Sequence, residues 1–247
     1  MDVVAVIPAR SGSKGLKHKN IKPFAGSSLL ACAVQFCLKS SVDKLVVTSD
    51  SKKYLDLTEE SMVTLGLSKK VTLHHRSKEA SEDSAKDIDV FRELYSQGIL
   101  TINDAIAWVR PTSPLRDLGE FNEAKHLFVS QYRGAGTLRS LKPARTHPYW
   151  MKVIVDQSLN VSGFIEGCDE KTYPNRQKLP RCMEITSEFD FMSVRDIVGQ
   201  GLFFPSKMHG YITSKYPKVD IDSFQDFIAA EAIFMAMFEG KFDGNNC

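Results

Sequence analysis

Val3-Val4-Ala5-Val6-Ile7-Pro8-Ala9-Arg10-Ser11-Gly12-Ser13-Lys14-Gly15-Leu16-Lys17-His18-Lys19-Asn20 joins an unbroken apolar run to a loop of glycines, hydroxyls and cations. A strand with apolar side chains on both faces has no solvent side, so Val3 to Ile7 predicts an interior strand of a parallel sheet covered by helices. The loop leaving it carries two glycines, two serines, one arginine and three lysines. Backbone amides in a glycine-rich turn form a concavity for anions, and the cations around it neutralise phosphate charge. The order of residues matches neither G-x-x-x-x-G-K-[ST] nor G-x-G-x-x-G, which sets aside a P-loop and a dinucleotide fingerprint. Its position directly after the first strand favours phosphate binding over a solvated turn.

Outward from this segment, short β-branched runs alternate with amphipathic ones. Residues 27–39 predict a helix capped by Ser27 or Ser28, with Leu29, Leu30, Ala33, Val34 and Cys37 on one face. Lys44 to Thr48 predicts a second strand, and a helix near 51–66 follows, stopping at Gly66. Val71 to Leu73 predicts a third strand, 84–97 a helix, Ala105 to Val109 a fourth strand and 118–131 another helix. This rhythm implies an α/β fold, a doubly wound and mostly parallel sheet. Such sheets bind ligands outside the carboxyl ends of their strands, where the segments 9–20, 48–50 and 110–116 fall. Residues 139–200, rich in aromatics, prolines and arginines, break the rhythm and predict an antiparallel excursion that covers the site or packs against a second subunit. The chain is expected to return through a strand near Leu202-Phe203-Phe204. It would close with a helix over 223–238 whose core face is Phe224, Phe227, Ile228, Ala232 and Met235. Residues 1–247 thus read as one domain carrying an excursion.

The 32 basic and 30 acidic residues leave a net charge of +2, which argues against nucleic acid or a membrane surface as a partner held by bulk charge. The N-terminus has no basic region followed by an apolar core, and no run of 18 apolar residues occurs, so a cytoplasmic location is expected. The five cysteines are scattered without a C-x-x-C pair and predict reduced thiols rather than zinc or disulfides. His74, His75 and His147 fit no metal triad. Asp220-Ile221-Asp222 places two carboxylates on one side of an extended segment, a set suited to Mg²⁺ with phosphate oxygens. Helix capping by Asp222 is the plainer reading of that residue, but it leaves Asp220 unexplained.

The ordered set Ile7 to Gly15, Lys19-Asn20, Arg76 with the stretch up to Asp87, Arg110-Pro111-Thr112-Ser113-Pro114-Leu115-Arg116, Arg176-Gln177-Lys178-Leu179-Pro180 and Asp220-Ile221-Asp222 resembles the acylneuraminate cytidylyltransferases, which make CMP-sialic acid and related CMP-nonulosonates. The resemblance implies a Rossmann-like nucleotidyltransferase fold, a homodimer joined through the excursion, and transfer of CMP from CTP to an acidic sugar with Mg²⁺. It implies that Ala9, Arg10, Ser13, Lys19 and Asn20 hold the triphosphate and that Lys19 stabilises charge at the attacked phosphorus. Arg76 and Asp87 would hold base and ribose, and Pro111, Thr112 and Ser113 would wall nucleotide from sugar. Arg110 and Arg176 would face the acceptor, and Asp220 and Asp222 the metal. A nucleotidyltransferase using another NTP or another acidic sugar is the alternative. A lapsed nucleotide-binding homologue has no reason to keep both the phosphate cradle and the carboxylate pair.

Four departures from the family pattern fall on its sugar side. Arg110 stands where relatives commonly have glutamine, Glu184 at the place of a second arginine and Asp190 at that of a tyrosine. The lysine after the family's His-Pro pair falls on Trp150, with Lys152 near. Either Arg110, Arg176 or Arg181 takes over the acceptor's acid group, or the acceptor is not ordinary sialic acid.

Overall fold

The computed structural model describes residues 1–12, 15–65, 71–82 and 84–238. It divides into two compact units, Met1–Ser140 with Thr186–Cys247, and Leu141–Ile185. The second is narrower than the 139–200 excursion expected from sequence pattern.

In the larger unit the strands β1 (Val3–Pro8), β2 (Lys44–Ser49), β3 (Val71–His75) and β4 (Ala105–Trp108) alternate with helices α1 (Leu29–Lys39), α2 (Lys52–Leu65) and α3 (Asp87–Ser96). Helix α4 (Leu118–His126) follows and runs on into one π-helical turn, Leu127–Gln131. β1 pairs in parallel with β2 and with β4, and β2 with β3, in registers such as Val6 opposite Val46 and Trp108. The period of two divides β1 between two apolar layers. Val3, Ala5 and Ile7 pack with Leu30, Val34 and Phe121, while Val4 and Val6 pack with Phe91, Leu94 and Trp108. Helix α1 starts where sequence placed it, with the Ser28 hydroxyl accepting from Ala31 N at 3.2 Å.

The chain continues through β5 (Thr137–Pro143), β6 (Lys152–Ile154), β7 (Val161–Gly163), β8 (Met183–Ser193), α5 (Val194–Gln200), β9 (Met208–Ile212) and α6 (Phe224–Phe238). The main sheet has seven strands in the order β9-β5-β8-β4-β1-β2-β3, and β8 runs antiparallel to β4 with Asp190 opposite Trp108.

Two expectations are corrected here. No strand forms at 202–204. Helix α5 ends on Gly201 in the left-handed conformation, Pro205 follows closely, and Phe203 instead packs edge-on against Trp108. The strand beside β4 is β8, which sequence pattern missed because Glu188 and Asp190 occupy fully buried strand positions, where unpaired carboxylates almost never sit. Helix α6 is apolar nearly all round, so its buried face could not be read from spacing. Phe227 and Ala230 are buried with Phe234 against them, whereas Phe224, Ile228, Ala232 and Met235 are exposed.

The smaller unit is built from the antiparallel hairpin β6–β7, whose turn is held by Asp156 Oδ1 accepting from Ser158 N and Asn160 N, and from two single-turn 3₁₀ segments. Cys32, Cys37, Cys168 and Cys182 form no disulfide among the described residues, while Gly66 and Cys247 lie outside them. Among the described residues no helix is long and apolar enough to cross a membrane.

Candidate functional site

Four parallel strands end on one edge, and the segments that leave them surround a cleft of about 430 Å³. Arg10, Gly15, Lys19, Asn20, Arg76, Lys86, Asp87, Arg110, Pro111, Thr112 and Asp222 line it. The loop after β1 is tied to the tip of β2, because Asp50 accepts from both Ser11 N and Ser11 Oγ at 2.7 Å. Ala9 is buried behind the cleft with its N–H donating to Thr48 O, and Arg10 reaches the carbonyl of Gly12 at 2.8 Å. Asn20 donates to Arg10 O at 3.0 Å, while its buried Oδ1 has no partner among the described residues. A buried acceptor left open in a cleft is a costly feature that a ligand's donor relieves. Ser13 lies outside the described residues.

Lys19 binds the loop to the chain's last extended segment. Its Nζ donates to Ile221 O and lies 3.3 Å from Asp222 Oδ1. A Cβ at Gly15 would run into the carbonyl oxygen of Asp222, so glycine is what permits this approach. Ile221 N in turn donates to Thr112 O at 2.9 Å, which laces the loop after β4 to the same segment. Pro111 and Thr112 line the cleft, but Ser113 is buried outside the lining. Asp222 is 86% exposed and faces the cleft, whereas the exposed Asp220 is not among its lining residues. The approach to this segment is fixed by a buried ionic group. Lys218 meets Glu188 at 2.9 Å, and Thr213 Oγ1 donates to Glu188 at 2.6 Å.

On the β2–β3 side, Arg76 is buried and donates through Nε to Thr48 Oγ1 and through Nη2 to Thr48 O, each at 3.1 Å. The Thr48 hydroxyl also lies 2.9 Å from His74 Nδ1. His74 Nε2 lies 3.4 Å from the Glu93 carboxylate, which favours the tautomer with its proton on Nε2. Nδ1 of a neutral His74 then accepts from the Thr48 hydroxyl, while that oxygen accepts from Arg76. Burial holds both the Arg76 guanidinium and the His74 imidazole below their ordinary pKa values, and for His74 it outweighs Glu93 at 3.4 Å.

Arg110 spans the far wall. Its Nη1 donates to Asp190 Oδ2 at 2.9 Å and its Nη2 to Asp87 Oδ2 at 3.0 Å. Burial lowers its pKa, but Asp190 and Asp87 more than offset that and leave it raised. Asp190 also accepts from Arg139 Nε at 2.9 Å, and the Arg139 guanidinium stacks 3.9 Å from the Phe204 ring centroid. Arg116, fully buried and pushed down to about 10 by that burial, donates to the carbonyls of Glu188 and Arg110 and so shapes the turn between them. Sequence reasoning missed Asp50, Lys86 and Arg139. For the Arg110–Asp190 contact a signal was present: two departures from the family pattern carry opposite charge.

In the smaller unit, Arg145, His147, Trp150, Arg176, Pro180 and Arg181 line a second cleft of about 370 Å³. His147 Nε2 lies 3.1 Å from Pro180 O. Glu184, at the other altered position, pairs with Lys142 at 2.8 Å, which holds its carboxyl below the usual range.

The profile of the cytidylyltransferase family matches residues 4–143, more than half of the chain. The chain belongs to the cytidylyltransferase family. The N-acylneuraminate cytidylyltransferase of Escherichia coli O18:K1:H7 is 28% identical over 251 residues, 98% of this chain and 54% of that protein. N-acylneuraminate cytidylyltransferase A of Danio rerio is 30% identical over 93% of this chain and 50% of its own length. The chain therefore spans about half the length of these curated relatives. The pseudaminic acid cytidylyltransferase of Campylobacter jejuni is 24% identical over 98% of this chain and all of its own. CMP:2-keto-3-deoxy-manno-octonic acid synthetase complexed with CTP shares the fold, with a TM-score of 0.65 at 15% identity over 96% of this chain and 100% of that one. The family and the sheet architecture expected from the motifs are the ones found.

Proposed function

We propose that this cytidylyltransferase transfers CMP from CTP to the anomeric hydroxyl of an acidic, sialic acid-like nonulosonate and releases pyrophosphate. The hydroxyl oxygen forms a bond to the α-phosphorus as the bond to the bridging oxygen of the β-phosphate breaks. The observation that carries this reading is the cleft at the strand ends, where Arg10, Lys19, Arg76 and Lys86 bring four cationic side chains to one opening. Phosphoryl-type transfer is catalysed by positioning and charge neutralisation, which such a cleft supplies.

Ala9, Arg10, Ser13, Lys19 and Asn20 bind the triphosphate in this reading, and Lys19 stabilises charge on the departing pyrophosphate. Arg76, Asp87, Pro111 and Thr112 bind and orient base and ribose, with Ser113 supporting the turn towards the acceptor. Asp222 fits Mg²⁺, since one or two carboxylates with phosphate oxygens make the ion's usual donor set. Asp222 would hold it with Asp220 beside it in sequence, and when bound the ion neutralises phosphate charge. Arg110 is committed to carboxylates of its own chain, so Arg176, in its cleft of arginines, is the group for the acceptor's carboxylate. The altered residues Arg110, Glu184 and Asp190 favour an acceptor other than N-acetylneuraminate. The exposed Ile154, Leu159, Val161 and Phe164 of the smaller unit support a homodimer formed through that unit. A cytoplasmic location completes the reading.

Pyrophosphate release measured with each NTP, and then with CTP across a panel of nonulosonates, tests the proposal. Turnover with another NTP in preference to CTP would overturn the donor. The highest kcat/KM with N-acetylneuraminate would overturn the acceptor.

A further inference from the structure

Arg110 and Asp190 are joined by more than a surface ion pair. Asp190 lies opposite Trp108, the last residue of β4, and Arg110 follows two residues later as the chain leaves the strand, with its Nη1 2.9 Å from Asp190 Oδ2. Asp190 is fully buried, and a carboxylate at such a position requires compensation. It receives two guanidiniums. Arg139 is itself pinned against the Phe204 ring, so Asp190 has a fixed partner on the side away from the cleft. Its other partner, Arg110, carries the contact out to the cleft wall and ends on Asp87, the first residue of α3. Asp87 is 40% exposed and lines the cleft, so it has no buried anchor of its own.

We propose that Asp190 is a positioning residue for nucleotide binding, acting through Arg110 to hold Asp87 at the ribose and base end of the cleft. Two carboxylates and two guanidiniums sum to no net charge, so this wall neither repels the triphosphate nor offers a free cation to the acceptor. Without Asp190, Arg110 would swing to Asp87 alone or into the cleft, and Asp87 would lose its fixed geometry. The inference rests on the reading of the cleft as a CTP site and deepens it.

The test measures dissociation constants of CTP and of inorganic tripolyphosphate for the wild type, Asp190→Asn, Arg110→Gln and the double variant. Arg110→Gln leaves the buried Asp190 its Arg139 partner, so it is the variant most secure in folding. Asp190→Asn and Arg110→Gln are each expected to weaken CTP about tenfold, the loss of one charged hydrogen bond, while tripolyphosphate stays within about twofold. Because Asp190 acts through Arg110, the double variant is expected to bind CTP no worse than Arg110→Gln. Unchanged CTP affinity in Arg110→Gln overturns the proposal even if Asp190→Asn fails to fold. Equal losses of CTP and tripolyphosphate overturn it in favour of general disorder of the cleft. A further tenfold loss on adding Asp190→Asn to Arg110→Gln shows independent action and overturns it too. A wild type that binds no CTP overturns the function reading and this inference together, whereas a wild type that binds CTP with variants that depart from these expectations overturns only the inference.

Discussion

The two clefts are built on opposite principles. In the larger unit Lys19, Arg76 and Arg110 are each held by an oxygen of their own chain, at the ends of strands buried on both faces. In the smaller unit Arg176 and Arg181 make no ion pair among the described residues and stand on single-turn and extended segments around a short hairpin. A cleft whose cations are already fixed loses little freedom on binding and suits a ligand of constant shape, such as a triphosphate. Unpaired arginines on short elements keep their freedom, and they suit anionic ligands of varied shape.

The first way to break this comparison is Lys19→Ala. If Lys19 neutralises charge on the leaving pyrophosphate, its removal should lower kcat about 100-fold to 1,000-fold. Stability should change little, because the ammonium's partners are the exposed Asp222 carboxylate and a single carbonyl. Pyrophosphate release and a thermal melt report the two quantities separately. Unchanged turnover in Lys19→Ala, and likewise in Asp222→Asn, would remove the loop from the chemistry.

Next in size is the buried ion pair that fixes the approach to Asp222. Lys218→Met leaves Glu188 buried beside Thr213 without its cation and should cost roughly 3 kcal/mol in unfolding free energy. Urea denaturation checks it, and a loss below about 1 kcal/mol would mean that the pair is solvated like a surface bridge. The smaller unit gives the contrasting case. Arg176→Ala should raise the acceptor's KM about tenfold with the CTP KM within about twofold, since one charged contact to a carboxylate is removed. Parallel changes in both constants would erase the division between the two clefts.

The same contrast decided what could be read in advance. Val3 to Ile7, Leu45 to Val47 and Ala105 to Val109 announce themselves because parallel strands buried on both faces have no polar positions to confuse the pattern. The loop at 9–20 is local in sequence and carries its chemistry in adjacent residues. β8 hid because Glu188 and Asp190 are polar in its core, and their partners Lys218, Arg110 and Arg139 lie 30 or more residues away. Pairing across such separations is fixed by the topology of the sheet, which residue spacing does not report. The exposed face of α6 hid for the reverse reason, since a helix apolar on every side has no periodic signal. Arg110 was placed at the site by the motif around it, while its commitment to Asp87 and Asp190 was visible only once β8 lay beside β4.

The smallest expected effect follows from the shared hydroxyl of Thr48. Burial lowers the His74 pKa in the fold, so the unfolded chain binds a proton first as pH falls below about 6.5. The stabilising contribution of neutral His74 is therefore fully present above that pH, and it is lost as pH falls through the lowered folded value. Arg76 and His75 oppose protonation and Glu93 favours it, with burial the largest influence. Once Nδ1 carries a proton, Thr48 Oγ1 can no longer donate to it, and the hydroxyl that accepts from Arg76 Nε must reorient. CTP affinity should then fall a few-fold as pH drops through the lowered His74 value, below the ordinary imidazole range, and His74→Asn, which keeps an acceptor but does not titrate, should flatten that profile. A profile of the same slope in His74→Asn would place the titrating group elsewhere in the cleft and leave Arg76 held by Thr48 independently of pH.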